Sequence, residues 1–98
     1  MEKDEIAFDK RIKQAKTLFD ENLIKDFKDI FEIVSYSKLA KILGIHNYRM
    51  RAKIEDPMKF HLGEVKSMAT ILDVDFLSLV SLMDRSAANV APKPDLEK

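Results

Sequence analysis

Residues 35–57, SYSKLAKILGIHNYRMRAKIEDP, carry the pattern of two short helices joined by a tight turn. The apolar residues of the first predicted helix recur at helical spacing: Leu39, Ile42 and Leu43. Gly44 follows them as a helix terminator, because glycine adopts a positive φ without a steric penalty. The second helix ends at Asp56, since a residue that precedes a proline, here Pro57, is disfavoured in the helical conformation.

The second predicted helix separates an apolar side from a basic side. Met50 and Ile54 are four residues apart and therefore share its inward face. Its outward face is basic: Arg49, Arg51 and Lys53. Ala40 is small where the two helices would cross closely, and His46 or Asn47 is suited to cap the second helix. This is the construction of a helix-turn-helix motif, and it favours nucleic-acid binding.

The distribution of charge supports the same hypothesis. The chain has 98 residues and a net charge of zero, so its overall composition does not indicate a polyanion-binding protein. Residues 1–34 and 61–98 are each net −2, whereas residues 35–60 hold six basic and two acidic side chains, net +4. Residues 38–53 contain five basic groups and no acid. The positive charge is therefore concentrated on the predicted motif.

Several classes of protein are disfavoured by the sequence. It contains no cysteine, which excludes disulfides and thiolate metal sites. No apolar run approaches the roughly 20 residues of a membrane span, and Glu2, Asp4 and Glu5 make the N-terminus too polar for a signal peptide. These features predict a soluble, cytoplasmic protein without a membrane partner.

An enzyme is also disfavoured, because the sequence lacks a nucleophile elbow, a phosphate-cradling glycine loop and an HExxH pattern. His61 and Glu64 have the spacing of a metal pair, but no third ligand follows at a suitable distance. We therefore expect no metal and no cofactor.

The chain as a whole is predicted to be all-α. Apolar residues recur every three or four positions through the first third of the chain: Phe8, Ile12, Ala15, Phe19, Leu23, Phe27, Ile30 and Val34. This pattern predicts helices at about 4–20 and 23–34, with Asn22 as a cap between them. One continuous helix over the same stretch is the alternative.

Beyond Pro57, Phe60 is predicted to return to the core. A following helix has Leu62, Val65, Ala69 and Leu72 on one face, and Asp75 is a plausible N-cap for the last helix, which carries Phe76, Leu79, Val80 and Met83. From Ser86 the chain is small, polar and proline-bearing, which predicts a disordered tail over residues 86–98.

The stretch from about residue 23 to residue 83 resembles the Cro/repressor-type (XRE-like) helix-turn-helix proteins. The similarity is carried by residues in the motif and in the two helices after it: Leu39-Ala40, Leu43-Gly44-Ile45, Met50, Lys53-Ile54, Asp56-Pro57, Phe60 to Glu64 and Leu72 to Asp75. The resemblance implies a five-helix domain whose third helix lies in the DNA major groove. The chain differs from the family pattern in two respects. Tyr36 and Ser37 stand where a glutamine usually begins the first motif helix, and residues 1–22 are an addition to the minimal domain.

The resemblance and the helix geometry together divide the candidate DNA-binding residues into two groups. The base-reading candidates lie at the start and outer face of the second motif helix: His46, Asn47, Tyr48 and Arg51. The phosphate-contacting candidates are the remaining polar and basic groups of the motif: Ser37, Lys38, Lys41, Arg49 and Lys53. Tyr48 has the alternative of packing against the domain.

Three regions follow from this interpretation: an N-terminal helical extension at 1–22, a helix-turn-helix domain at 23–85 and the tail. The expected function is sequence-specific binding of double-stranded DNA in transcriptional regulation, by a homodimer. The apolar stripe of the extension either joins the dimer interface or packs within the monomer. The competing hypothesis is a helical protein–protein interaction module that uses the same fold without DNA.

Overall fold

Five α-helices and two 3-10 helices form residues 2–88, the part of the chain that the computed structural model describes, with side chains over residues 6–87. In chain order they are α1 (Glu2–Asp20), η1 (Phe27–Glu32), α2 (Tyr36–Leu43), α3 (Asn47–Glu55), η2 (Pro57–Lys59), α4 (Leu62–Leu72) and α5 (Phe76–Ala88). No strand occurs within residues 2–88, and the all-α prediction is confirmed. None of these helices is both long and apolar enough to span a bilayer.

The end of α1 differs from the prediction. Asn22 adopts a left-handed φ of 61°, and the N–H of Leu23 donates to the carbonyl of Leu18 at 2.9 Å. Asn22 therefore terminates α1 instead of capping a second helix. The predicted helix at 23–34 is wrong, and so is the continuous alternative, because an irregular segment leads into the short helix η1.

Asp26 is the residue that caps η1. Its carboxylate accepts from the N–H of Lys28 at 2.9 Å, while the Asp29 carboxylate accepts from the N–H of Asp26 at 3.2 Å. This reciprocal pair satisfies two N–H groups at the start of the helix. The apolar pattern of this segment is shifted by one residue from the predicted one: Leu23 is 57% exposed, and Ile24 is buried in its place.

Helix α1 packs against its own domain. Ala15 is buried, and the other apolar residues of its inner face pack partly buried against the core: Phe8, Ile12, Leu18 and Phe19. The main contact of α1 is with α4. The apolar stripe predicted for the N-terminal extension therefore lies within the monomer.

Helices α4 and α5 form the centre of the fold. Helix α4 contacts α1, α2 and α5, and α5 also packs on η1 and η2. The inward face of α4 includes Val65, Ala69 and Leu72 as predicted, but Leu62 at its start is 72% exposed and Met68 is buried in addition. Asp75 caps α5 as predicted, because its carboxylate accepts from the N–H of Ser78 at 2.9 Å.

The predicted tail begins too early. Helix α5 continues to Ala88, and Ser86 is buried. The remainder of the predicted tail, residues 89–98, lies outside the described residues.

Phe60 is buried as predicted, and its ring meets that of Phe27 edge to face with centroids 5.7 Å apart. This aromatic contact joins η1 to the loop that follows α3.

Candidate nucleic-acid interface

Helices α2 and α3 meet at the turn that the sequence predicts. Gly44 has a φ of 74°, and the N–H of Ile45 donates to the carbonyl of Ala40 at 2.9 Å. Ala40 is fully buried and belongs to α2, which packs against α3. A small residue at this position allows the two helices to approach each other closely.

The start of α2 is capped by a side chain, whereas the start of α3 is not. The Ser35 hydroxyl accepts from the N–H of Lys38 at 3.3 Å. His46 occupies the N-cap position of α3 but its side chain makes no capping bond. The His46 side chain therefore leaves the first N–H groups of α3 without a cap.

Two buried residues fix the orientation of α3. Met50 is fully buried and Ile54 nearly so, as predicted from their spacing. Arg51 and Ala52, which lie between them in sequence, consequently point away from the core. The exposed residues of α3 are Asn47, Tyr48, Arg49, Arg51, Ala52 and Glu55.

Tyr48 does not pack against the domain core. It is 66% exposed, and its ring stacks on that of His46 with centroids 5.8 Å apart and planes 25° apart. The alternative in which Tyr48 packs into the domain is wrong, because most of its surface is exposed and the ring on which it stacks is also exposed. Tyr48 and His46 thus form an exposed pair beside the first turn of α3.

A shallow depression brings together residues from both predicted groups. It measures about 510 Å³ and is lined by Ser37, Lys38, Lys41, Ile45, His46 and Asn47. The phosphate-contacting candidates of α2 therefore lie beside the base-reading candidates at the start of α3. On the other side of α2, Lys38 and Lys41 also border a depression that contains Phe8 and Asp9 of α1.

A second depression lies further along α3. It measures about 300 Å³ and is lined by Tyr48, Arg51, Ala52 and Glu55. Arg51, a base-reading candidate, therefore shares this surface with Tyr48. Arg49 is exposed on α3 but lines neither depression.

Lys53 differs from the other candidates for phosphate contact. Its ammonium group lies 3.1 Å from Glu64 Oε1 and donates to the carbonyl of Lys59 at 3.0 Å. It also lies 5.7 Å from the ring centroid of Phe60. With only 13% of its side chain exposed, Lys53 joins α3 to α4 through these contacts.

The environment of Glu64 is consistent with this structural role. Burial by itself raises the pKa of Glu64, but the hydrogen bond from the His61 N–H and the adjacent Lys53 ammonium outweigh that effect and lower the pKa below its ordinary value. The His61 N–H donates to Glu64 Oε1 at 2.9 Å. Glu64 is therefore a charged link between α3 and α4. Within residues 2–88, no group of three or more His, Cys, Asp or Glu residues is placed to hold a metal ion.

Two features of this surface were not identified from the sequence. Lys28 of η1 lies 3.0 Å from Glu55, the single acid on the exposed face of α3, and this contact raises the pKa of Lys28. A pair that joins positions 28 and 55 has no local spacing signal. Ala52 lies on the exposed face of α3, where helical spacing places it one turn after Tyr48.

Comparisons with protein-family models, curated proteins and solved structures found no match.

Proposed function

We propose that the protein binds double-stranded DNA in a sequence-specific manner as a transcriptional regulator, with α3 in the major groove. The observation that carries this proposal is the combination of a tight α2–α3 turn at Gly44 with an exposed, largely basic outer face on α3. A helix presented in this way fits the width of the major groove of B-DNA. The resemblance to Cro/repressor-type proteins, with α2 and α3 as the motif, supports the same function.

Electrostatics supports DNA as the partner. Four exposed basic groups belong to α2 and α3: Lys38, Lys41, Arg49 and Arg51. The fifth basic group of the stretch, Lys53, is neutralised by Glu64 at 3.1 Å. The exposed residues of α2 and α3 combine these four cations with one acid, Glu55, which is itself paired to Lys28, and this excess of positive charge attracts the phosphate backbone.

The two groups of candidate residues keep separate roles in this proposal. Lys38, Lys41 and Arg49 contact phosphates, together with the hydroxyl of Ser37. Arg51 donates twice to a guanine and Asn47 bonds an adenine, each pairing worth about 1–3 kcal/mol of discrimination. His46 and Tyr48 complete the base-reading set.

A homodimer belongs to the same proposal. One short helix contacts few base pairs, and two-fold symmetric binding to half-sites one helical turn apart is the common solution. Because the inner face of α1 packs on its own core, the proposed dimer uses a surface other than that stripe. Light scattering of the protein alone and on a palindromic duplex measures its stoichiometry.

The test of DNA binding is a titration of labelled random-sequence duplex at several salt concentrations. The three cations assigned to phosphate, at about −0.9 each, predict that log K falls with log salt at a slope of about −3 per protomer. A variant with Lys38 and Lys41 both changed to Gln should reduce the slope by about two, whereas Lys66→Gln on α4 serves as the control. Absence of binding at low salt contradicts the proposal, and the remaining hypothesis is then a protein–protein interaction module with the same fold.

A further inference from the structure

The exposed face of α3 has an apolar centre between its charged groups. Tyr48 and Ala52 are four residues apart and therefore adjacent on the helix surface. Together with Arg51 and Glu55 they line the depression of about 300 Å³. A methyl side chain at Ala52 leaves this depression open, so that a partner atom can approach the helix backbone closely.

The ring of Tyr48 stacks beside another exposed ring. It lies at 25° to the His46 ring, with centroids 5.8 Å apart. The side chain of Tyr48 is exposed on the surface formed by α2 and α3. A tyrosine side chain has only two rotatable bonds and loses little conformational freedom on binding, and its apolar face gains from leaving water.

We propose that Tyr48 and Ala52 form a contact site for the 5-methyl group of a pyrimidine in the major groove. This inference rests on the proposed function, because it assumes that α3 lies in that groove. The 5-methyl group is the apolar group that base edges present there, and alanine and aromatic side chains are its usual contacts. Thymine carries this group, and so does 5-methylcytosine.

The polar residues around the depression select the bases beside the methyl group. Arg51 has two donors for the O6 and N7 atoms of a guanine. Glu55 is held 3.0 Å from Lys28, and its carboxylate accepts from the amino group of a cytosine. Donors and an acceptor beside an apolar centre are the groups that a base edge requires.

The experiment starts from a duplex selected by the protein from random DNA. Each thymine of the selected site is replaced singly by uracil, which removes only the methyl group and keeps every hydrogen-bonding atom. In a parallel series, each cytosine is replaced by 5-methylcytosine. We expect that removal of a single contacted methyl group weakens binding about three- to fivefold, the effect of one buried methyl.

Two variants assign this effect to Tyr48. Tyr48→Ala should bind the thymine and uracil forms of that site equally, whereas Tyr48→Phe should keep the discrimination because it keeps the ring. Leu77→Ala changes an exposed apolar residue of α5 and should also keep it. Both substitutions at Tyr48 affect an exposed side chain, and circular dichroism verifies that the variants are folded.

The outcomes separate this inference from the proposed function. Sensitivity at a thymine supports thymine as the source of the methyl group. Tighter binding on cytosine methylation, lost in Tyr48→Ala, supports 5-methylcytosine. A selected sequence that tolerates every methyl change, or discrimination that persists in Tyr48→Ala, overturns the inference while DNA binding stands. Failure to bind any duplex overturns both.

Discussion

Ser86 Oγ accepts a 2.7 Å hydrogen bond from the backbone N–H of Phe27, and the two residues are 59 positions apart in the chain. Both are buried. The bond attaches the first residue of η1 to α5 and supplies the Phe27 N–H with an acceptor. An unpaired N–H in this environment carries its full desolvation cost.

Ser86→Ala should therefore destabilise the protein. Loss of the acceptor leaves the Phe27 N–H buried and unpaired, at a cost of about 1–3 kcal/mol in the free energy of unfolding. Ser81→Ala is the matched control on the same helix, because the Ser81 hydroxyl bonds Arg85 at an exposed position, and it should change stability by less than about 0.5 kcal/mol. Urea denaturation measures both. Equal midpoints for the two variants would show that the buried bond contributes nothing.

The two glycines of the chain should respond in opposite directions to alanine. Gly44 has a φ of 74°, and an added Cβ would meet no atom within 4 Å, so the cost of Gly44→Ala arises from the backbone alone, at about 1–2 kcal/mol. Gly63 lies in the first turn of α4 with equally open space. Gly63→Ala should stabilise the protein by up to about 1 kcal/mol, because alanine favours the helix. Thermal melts decide, and a stable Gly44→Ala variant would contradict the role of the left-handed turn.

The pair formed by Lys53 and Glu64 should stabilise the orientation of α3. Lys53→Met keeps the apolar stem and removes the ammonium group, which leaves the partly buried Glu64 carboxylate with only the His61 N–H as its partner. We expect a loss of about 1–3 kcal/mol in the free energy of unfolding. Lys41→Met at an exposed position is the control. If Lys53→Met is as stable as the wild type, the pair is dispensable.

The same pair should make stability depend on pH. The folded-state pKa of Glu64 lies below its ordinary value of 4.5, so its ionised form contributes stability above about pH 4.5 that is lost as the pH falls through the lower folded value. The stability difference between wild type and Glu64→Gln should therefore be larger at pH 7 than at pH 3. Urea denaturation at the two pH values measures it, with exposed Glu21→Gln as the control. A stability difference between wild type and Glu64→Gln that is larger at pH 3 than at pH 7 would contradict this prediction.

Arg51 and Lys38 should have separable effects on DNA binding. Arg51→Ala should weaken the preference between sequences, because it removes a base contact. Lys38→Ala should weaken binding to all duplexes alike and reduce the salt slope by about one. Competition between a selected duplex and a scrambled one measures the first effect. An unchanged preferred sequence in Arg51→Ala would show that this side chain does not select bases.

Local patterns predicted the centre of the chain well. Gly44, Met50 and Ile54 were assigned correctly because a positive φ and a four-residue apolar spacing depend on neighbours along the chain. The proline after Asp56 marked the end of α3 for the same reason. These positions determine which side chains of α3 are exposed.

Contacts between distant segments produced the differences. Periodicity continued through Leu23, but α1 ends at Asp20, the left-handed Asn22 redirects the chain, and Ile24 is buried in the place of Leu23. Lys53 was predicted to contact phosphate because it is a basic residue of the motif. Its ion pair with Glu64, 11 residues later, depends on the packing of α4 and has no signal in the motif itself. Ser86 belonged to a small, polar segment, yet the fold uses its hydroxyl as a buried acceptor.

Helix α3 divides folding and surface chemistry between different positions. Met50 and Ile54 supply its buried packing, and Lys53 supplies its ion pair with α4. The other positions are exposed, so mutation there changes the outer surface with little effect on stability. Under selection, variation can therefore accumulate on this face without first requiring compensatory changes in the interior. A combinatorial library restricted to Asn47, Tyr48, Arg51, Ala52 and Glu55 would consist mainly of folded proteins with altered surfaces.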